Sequence, residues 1–204
     1  MQNIPEPYRT LFEVVSTDCR PDAIPELIRN GAKLDYTDPN SGRTILYAAV
    51  RADRIRAVEV LIKRGADPNQ RFTYRSPVDG SIETDRVVFH YVLSPEMVTA
   101  LFVAGGNINA TDAIGTTPLM CAAFHGELSV VRALLAAGAD PLARQDRQKV
   151  RRAPSAREMA EVKIKFFEKF VGDANPGLTR SRLRCYEKIR DLLAEAEKRA
   201  ESSS

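Results

Sequence analysis

Cys121 and His125 are the residues whose types and spacing could do chemistry. They stand four positions apart in the segment TPLMCAAFH, which places both side chains on one face of a helix. Nucleophilic catalysis uses a thiol beside an imidazole, but it also needs a group that orients the base and donors that bind an oxyanion. The remaining histidine, His90, lies in a different part of the chain. We therefore predict that this helix face carries no catalytic site and that the protein is not an enzyme.

The residue pattern does not indicate a metal site, a cofactor site or a disulfide framework. The three cysteines, Cys19, Cys121 and Cys185, are odd in number and far apart, and the two histidines have no acidic cluster at ligand spacing. No glycine-rich phosphate loop follows a predicted strand. We predict that the protein binds no metal ion and no cofactor. Unpaired cysteines are typical of the reducing cytoplasm, which is the expected location.

The composition is that of a globular chain without a membrane segment. Of its 204 residues 44% are hydrophobic and 28% are charged, with a formal net charge of +3. No apolar run approaches the roughly 20 residues that a membrane helix needs. The N-terminal residues MQNIPEPYRT have neither the basic start nor the apolar stretch of a secretory signal. We expect a protein that is neither secreted nor inserted in a membrane.

The segment that must position Cys121 and His125 runs from Gly115 to Pro141 and predicts two short helices. Thr117 is a typical N-cap with Pro118 at the first helical position, and Gly138 ends the second helix. Apolar residues follow at helical spacing in both helices: Leu119, Ala122, Ala123, Leu128, Val131, Leu134 and Leu135. Two helices of about ten residues are marginal in water alone, so they need neighbours of the same kind.

Copies of this unit occur along the chain. Shifted by 73 residues, it reads GRTILYAAVRADRIRAVEVLIKRGADP at residues 42–68, and weaker copies end at residues 26–38 and 100–112. The glycines that end the second helices are Gly31, Gly65, Gly105 and Gly138, at spacings of 34, 40 and 33 residues. A period near 33 with the elements T-P-L, A-A, V-x-x-L-L and G-A-D resembles the ankyrin repeat.

The resemblance implies an all-α solenoid of helix-turn-helix repeats with short β-hairpin finger loops and an extended helical C-terminal cap. It predicts a single domain over residues 1–204, with repeats at about 8–38, 39–74, 75–113 and 114–146 and a modified capping repeat at 147–200. Pro25 is placed near the start of a helix, and Ser94 and Pro95 are predicted to begin another. Val171–Leu178 is predicted as a loop and about Thr179–Ala200 as the final helix.

Residues 69–86 are an insertion that accounts for the spacing of 40 and lengthens one finger. The insertion contains aromatic and arginine residues of the types enriched at interfaces: Arg71, Phe72, Tyr74 and Arg75. The rings of Phe72 and Tyr74 either contact a partner or fold back onto the repeat. The third repeat that follows is degenerate, and Val88, Tyr91 and Val92 are the predicted core positions of its first helix.

Positive charge is concentrated in the C-terminal part of the chain. Residues 144–201 hold 16 Lys and Arg against 10 Asp and Glu, whereas residues 1–143 hold 14 against 17. Three interpretations of the segment 144–155 remain open: a solvated loop, a docking surface for an acidic protein, and a nucleic-acid contact. Its candidate partner-binding residues are Arg144, Arg147, Lys149, Arg151 and Arg152.

The resemblance also implies a surface for a partner protein, formed by the finger tips and the inward faces of the first helices. The corresponding positions are Arg43, Tyr47 and Arg51 in the second repeat and Thr116, Cys121, Phe124 and His125 in the fourth. Phe124 is either an exposed anchor or a packing contact with the neighbouring repeat. Tyr47 and Met120 stand where the family often has a histidine, which removes an intra-repeat hydrogen bond.

The predicted function is therefore non-enzymatic binding of a partner protein, by a chain that is monomeric when alone. Within binding, a general adaptor and a stoichiometric inhibitor or immunity-type protein remain alternatives. Nucleic-acid binding through residues 144–190 is a further alternative of a different class, and we rank it below protein binding because the net charge is only +3.

Overall fold

Helices dominate the protein in a computed structural model, which describes residues 6, 8–16, 21–76, 80–146, 148, 150, 153–169 and 176–202. The helices in those ranges are α1 Tyr8–Ser16, α2 Ile24–Arg29, α3 Ile45–Arg51, α4 Ile55–Lys63, α5 Pro95–Val103, α6 Pro118–His125, α7 Leu128–Ala136, α8 Ala156–Glu168 and α9 Pro176–Ser202. Two strands, β1 Phe72–Arg75 and β2 Ile82–Arg86, form one antiparallel hairpin. In the part of the chain that the structure describes, none of the helices is both long and apolar enough to cross a bilayer.

Helix starts follow the capping residues of the sequence. The side chains of Thr44, Ser94, Thr117 and Ser155 each accept a hydrogen bond from a backbone N–H in the first turn of α3, α5, α6 and α8. Pro95 and Pro118 occupy the first turns of their helices, as predicted. Pro25 lies in the first turn of α2, behind a single 3₁₀ turn at Pro21–Ala23, and so breaks no helix.

The third unit departs from the predicted helical pair. Its first element is one 3₁₀ turn, Val88–Tyr91, because Val92 returns to extended backbone and Ser94 already begins the next helix. Val88 and Val92 are buried as predicted, whereas Tyr91 is only partly buried. Phe89 is the fully buried ring of this turn, and it packs so closely on Gly106 that a Cβ there would lie 2.5 Å from the ring.

The helices stack in two layers. The first layer runs from α1 through α3 and the 3₁₀ turn to α6 and α8, and the second from α2 through α4, α5 and α7 to α9. The core lies between the layers and includes Ala49 and Ala123, both fully buried, whose small side chains let neighbouring helices approach. A continuous stack of this kind buries faces that no pair of helices could bury alone.

The fingers form a row held by backbone atoms. Arg75 N donates to Ser41 O at 2.9 Å, Ala113 N to Thr84 O at 3.2 Å, and Asp146 N to Ile114 O at 3.0 Å. The approach is close enough to demand glycine, since a Cβ on Gly42 would lie 1.7 Å from Thr73 O. Each finger therefore fixes the position of the next.

The C-terminal helices α8 and α9 pack as an antiparallel pair. The ring of Phe167 stacks on Tyr186 at 5.6 Å, and Arg157 Nε lies 3.0 Å from Glu197 Oε2 near the other end of the pair. Helix α9 begins at Pro176, so the last residues of the predicted loop are helical, and it continues to Ser202. Residues 171–175 of that predicted loop lie outside the described residues.

Candidate functional site

The inward faces of three consecutive units meet in a cleft of about 330 Å³. Tyr47 of α3, Tyr91 of the 3₁₀ turn and His125 of α6 reach it from the helices, while Tyr74 and Arg86 reach it from the hairpin. The long finger therefore folds over the face that the first helices present. Of the residues proposed from sequence, the structure brings Tyr47, Arg51, Tyr74, Cys121 and His125 together here.

One wall of the cleft is an aromatic cluster. The ring of Tyr47 lies 4.8 Å from Tyr91 in an edge-to-face arrangement, 5.4 Å from Tyr74 and 5.3 Å from Phe72. Phe72 is only 6% exposed. Its ring therefore folds back onto the repeat and is not free to contact a partner. Burial, then the neighbouring Tyr74, raises the pKa of Tyr47 to about 12. The wall is thus neutral and preorganised at physiological pH.

The floor of the cleft is built around Arg86. Its Nη1 donates to Cys121 Sγ at 3.0 Å, and its Nε lies 3.3 Å from Asp112 Oδ2 and 3.6 Å from Glu83 Oε2. Tyr91 donates its hydroxyl to the same Glu83 oxygen at 2.5 Å. Burial of the phenol and this bond to an anionic acceptor both raise the pKa of Tyr91. The network ties the hairpin to the next two units.

Cys121 and His125 do not form a thiol–imidazole pair. His125 Nδ1 contacts the backbone oxygen of Cys121 at 2.8 Å, while the thiol faces Arg86. Burial raises the pKa of the Cys121 thiol, although the guanidinium of Arg86 acts in the opposite direction. A protonated thiol that is 8% exposed is a poor nucleophile. Within the described residues, no group of three or more His, Cys, Asp or Glu side chains is placed to hold a metal ion.

The rim of the cleft carries the exposed side chains. Arg51 and His125 of the lining are exposed. Phe124 is not a lining residue, but its ring lies 5.4 Å from that of His125, is 41% exposed and has Lys163 Nζ 3.8 Å from its centre. Phe124 is therefore both a packing contact and an exposed ring, because one side of the ring contacts Lys163 of α8 and the other side is open to solvent. Arg43 stacks on Tyr74 at 5.7 Å from the ring centre.

Two other residues proposed from sequence serve the finger row. Arg71 donates through Nη1 to the backbone oxygens of Asp85 and Thr111, both at 2.9 Å, and so bridges two fingers. Thr116 is buried, and its hydroxyl accepts from Gln145 Nε2 at 2.8 Å. Arg75 is exposed on the outer end of β1.

The basic segment is described only in part. Arg144 is half-exposed and donates to Glu158 Oε2 at 2.8 Å, while Arg147, Lys149, Arg151 and Arg152 lie outside the described residues.

Arg86, Glu83, Asp112 and His90 are the residues of the site that sequence reasoning missed. His90 is buried, and its Nε2 lies 2.9 Å from Thr116 O while its Nδ1 accepts from Val87 N at 3.2 Å. His90 could have been identified from the sequence, because residues 87–90 correspond to the T-P-L-H motif and His90 stands at the position of its histidine. Charged residues of the hairpin gave no comparable signal, since a burial site for Arg86 exists only once the finger folds back.

Two stretches of the chain match the family model described as Ankyrin repeat, residues 41–71 and 114–146. The Neurogenic locus Notch protein of Drosophila melanogaster is 33% identical over 124 residues, which is 60% of this chain and 4% of that protein. Human Ankyrin repeat and SOCS box protein 6 is 32% identical over 123 residues, 56% of this chain and 27% of that protein. Mouse B-cell lymphoma 3 protein homolog is 35% identical over 101 residues, 48% of this chain and 21% of that protein.

The chain carries repeats of the ankyrin family at residues 41–71 and 114–146. Ankyrin repeats generally mediate protein–protein interactions and are typically non-enzymatic. The chain spans about a quarter or less of the length of these relatives, so the similarity covers the repeats and not the whole proteins.

Proposed function

We propose that the protein is a non-enzymatic interaction module that binds a partner protein through the cleft and the adjoining fingers. The observation that carries this proposal is the cleft itself, with a tyrosine wall, a charged floor around Arg86, the exposed side chains of Arg51 and His125 in its lining, and the exposed ring of Phe124 next to His125. Tyrosine supplies contact area at a low cost in conformational entropy, and both tyrosine and arginine are enriched at interface hot spots. The floor is held by the ion pairs of Arg86 with Asp112 and Glu83 and by its hydrogen bond to Cys121.

The rim is the part of the site that can contact a partner directly. Tyr47, Thr116 and Cys121 are each at most 8% exposed, so in this proposal they hold the cleft in shape. Arg43, Tyr74 and Arg75 extend the contact surface along the finger. Arg147, Lys149, Arg151 and Arg152 of the basic segment remain proposed contacts.

The proposal also covers the cellular location and the oligomeric state of the protein. We place it in the cytoplasm as a monomer, and the free thiols of Cys121 and Cys185 support a reducing compartment. The repeat boundaries given above, with a capping unit at 147–200, stay part of the proposal.

The test is affinity capture with the intact chain, comparing wild type with the triple variant Arg51→Ala, Phe124→Ala and His125→Ala. These side chains are exposed, so the fold should tolerate their loss. We expect the amount of partner captured by the variant to be at least about tenfold lower, because the loss of a hot-spot side chain weakens binding by about 2 kcal/mol or more. Equal capture by both would show that the cleft rim is not the binding surface.

A matched control removes an arginine and an exposed aromatic ring away from the cleft, Arg56→Ala with Phe102→Ala. Phe102 is 46% exposed on α5, comparable with Phe124. The control should bind as wild type does. Adding the captured partner's own activity as a readout separates the alternatives, because an inhibitor abolishes that activity at equimolar ratio and an adaptor leaves it intact. Nucleic-acid binding would instead weaken steeply with salt.

A further inference from the structure

A row of three cations lies on the N-terminal half of α9. Arg180, Arg184 and Lys188 are exposed, stand one helical turn apart, and line the same groove of about 550 Å³. Leu128 at the start of α7 lines the groove from the other side, together with Ser181 and Cys185 of α9. The cleft described above has a different lining, so the groove is a separate surface.

No described acidic side chain forms an ion pair with this row. Three arginines of the C-terminal helices do form ion pairs: Arg157 with Glu197 at 3.0 Å, Arg190 with Asp191 at 2.7 Å and Arg199 with Glu195 at 3.7 Å. The row is therefore a strip of positive charge without an ion pair among the described residues. Uncompensated charge on one face raises the local concentration of anionic partners.

The row lies on a helix that is bonded to the C-terminal end of α6. The adjacent Cys185 Sγ contacts Gly126 O at 3.2 Å, and Tyr186 donates its hydroxyl to Phe124 O at 3.0 Å. Ile189 is fully buried on the opposite side of the helix. Successive cations on one helix face are about 5–6 Å apart, so the three charges span roughly 12 Å along the axis of α9.

We propose that this groove binds an acidic protein segment, with carboxylates spaced one helical turn apart opposite the three cations and an apolar side chain over Leu128. Arginine suits carboxylates because its planar fork can donate two parallel hydrogen bonds. Charge complementarity identifies the class of partner. The interaction is independent of the cleft and brings a second partner, or a second part of one partner, to the C-terminal end of the stack.

A protein segment fits better than nucleic acid. Glu187 precedes Lys188 and Asp191 follows it on the same helix, so the positive strip is confined to three residues and does not continue. Nucleic-acid affinity is built from many phosphate contacts, and a protein with three of them binds weakly at physiological salt. An acidic helix, in contrast, needs only the length of the row to satisfy all three cations.

The experiment measures fluorescence anisotropy of a labelled synthetic helical peptide with glutamates at positions i, i+4 and i+8 and a leucine between them. The same peptide with glutamines is the probe control. Wild-type protein should bind the glutamate peptide saturably and the glutamine peptide at least about tenfold more weakly. Absence of saturable binding to the glutamate peptide, or equal binding of the two, overturns the proposal.

The key variant is Arg180→Glu, Arg184→Glu and Lys188→Glu, which should bind the glutamate peptide at least about tenfold more weakly than wild type. A matched control changes the formal charge by the same amount at exposed positions of α4 and its C-cap, with Arg56→Glu, Lys63→Glu and Arg64→Glu. This control should keep wild-type affinity. If both triple variants lose affinity equally, the loss is caused by net charge alone and the proposal of a specific groove is wrong.

Three further measurements complete the test. The charge-retaining variant Arg180→Lys with Arg184→Lys should bind more tightly than the glutamate triple and more weakly than wild type, because it keeps the charges but loses the paired hydrogen bonds. Circular dichroism of the glutamate triple should match that of wild type, which would show that its loss of affinity does not arise from unfolding of α9. A single-stranded oligonucleotide of equal length is the competing probe. If it binds more tightly than the glutamate peptide, the partner is nucleic acid and the proposed acidic segment is wrong.

Discussion

Arg86 and Asp112 join the long finger to the unit that follows it, with Arg86 Nε 3.3 Å from Asp112 Oδ2 and both side chains largely buried. Asp112 also accepts from Thr116 N at 2.7 Å and Ile114 N at 3.0 Å through its other oxygen. One carboxylate thus closes its own turn and neutralises the neighbouring guanidinium.

The first prediction concerns this carboxylate. Asp112→Ala should lower the free energy of unfolding by about 3–5 kcal/mol, because it removes the nearer and more buried of the two carboxylates beside Arg86 and the acceptor of two backbone N–H groups. Urea denaturation measures the change. Asp191→Ala, which breaks the exposed pair with Arg190, should lower it by less than about 1 kcal/mol. Similar losses for the two variants would mean that the buried pair contributes no more than a surface pair.

The second prediction tests how α9 docks. Gly126 has φ +81°, and a Cβ there would lie 2.9 Å from the ring of Tyr186, so Gly126→Ala combines backbone strain with a clash. Gly138 has φ +92° with open space around it, so Gly138→Ala carries the strain alone, about 1–2 kcal/mol. Gly126→Ala should lose roughly 1–3 kcal/mol more in thermal unfolding. The excess should shrink when Tyr186→Ala is added, and an excess that persists would refute the contact.

The third prediction concerns asparagines that link successive units. Asn69 donates through Nδ2 to Gly105 O at 3.0 Å and accepts from Asn107 N at 2.6 Å. Asn69→Ala should cost roughly 1–2 kcal/mol, and Asn69→Asp, which keeps the acceptor, about half as much. Hydrogen exchange should accelerate at the Asn107 amide in the alanine variant. Unchanged exchange there would contradict the link, and Asn30→Ala at the exposed end of α2 serves as the control.

The fourth prediction is a pH dependence of stability. Burial first, and the nearby Arg86 second, lower the pKa of His90 below its ordinary value of 6.5. The unfolded chain therefore takes up the proton more readily than the folded one, and the free energy of unfolding should fall as pH drops through about 6.5. Above about pH 7.5 this contribution is complete and the curve is flat.

Denaturation curves between about pH 5.5 and pH 7.5 test this contribution of His90. His90→Gln is neutral throughout that range, so it should be less stable than wild type at pH 7.5 and show a shallower slope. A slope equal to that of wild type would assign the pH dependence to other groups.

The regular units could be predicted from the sequence because their local signals agree with each other. Thr117, Pro118 and Gly126 fix the ends of α6 by capping and by positive φ, and the 73-residue copy repeats the same pattern. Such signals act over a few residues and need no knowledge of the fold. The 40-residue spacing likewise located the long finger correctly.

The floor of the cleft could not be predicted in the same way. Arg86 and Glu83 are charged residues of an insertion, and in isolation such residues are typical of a solvated loop. Their burial follows from the aromatic contacts of Phe72 and Tyr74 with Tyr47, which turn the hairpin inward. The 3₁₀ turn at Val88–Tyr91 was missed for a related reason, because the short segment before Ser94 excludes a full helix.

The finger row has a consequence for how this surface can change over generations. Neighbouring fingers hold one another through main-chain atoms, at Arg75 N with Ser41 O and at Asp146 N with Ile114 O. Main-chain bonds are indifferent to the side chains beside them, and only glycines such as Gly42 are fixed by the close approach. Mutations at exposed finger positions whose side chains do not bridge two units, such as Arg75, should therefore cost little stability, so the protein can acquire a new binding specificity there while its framework stays the same.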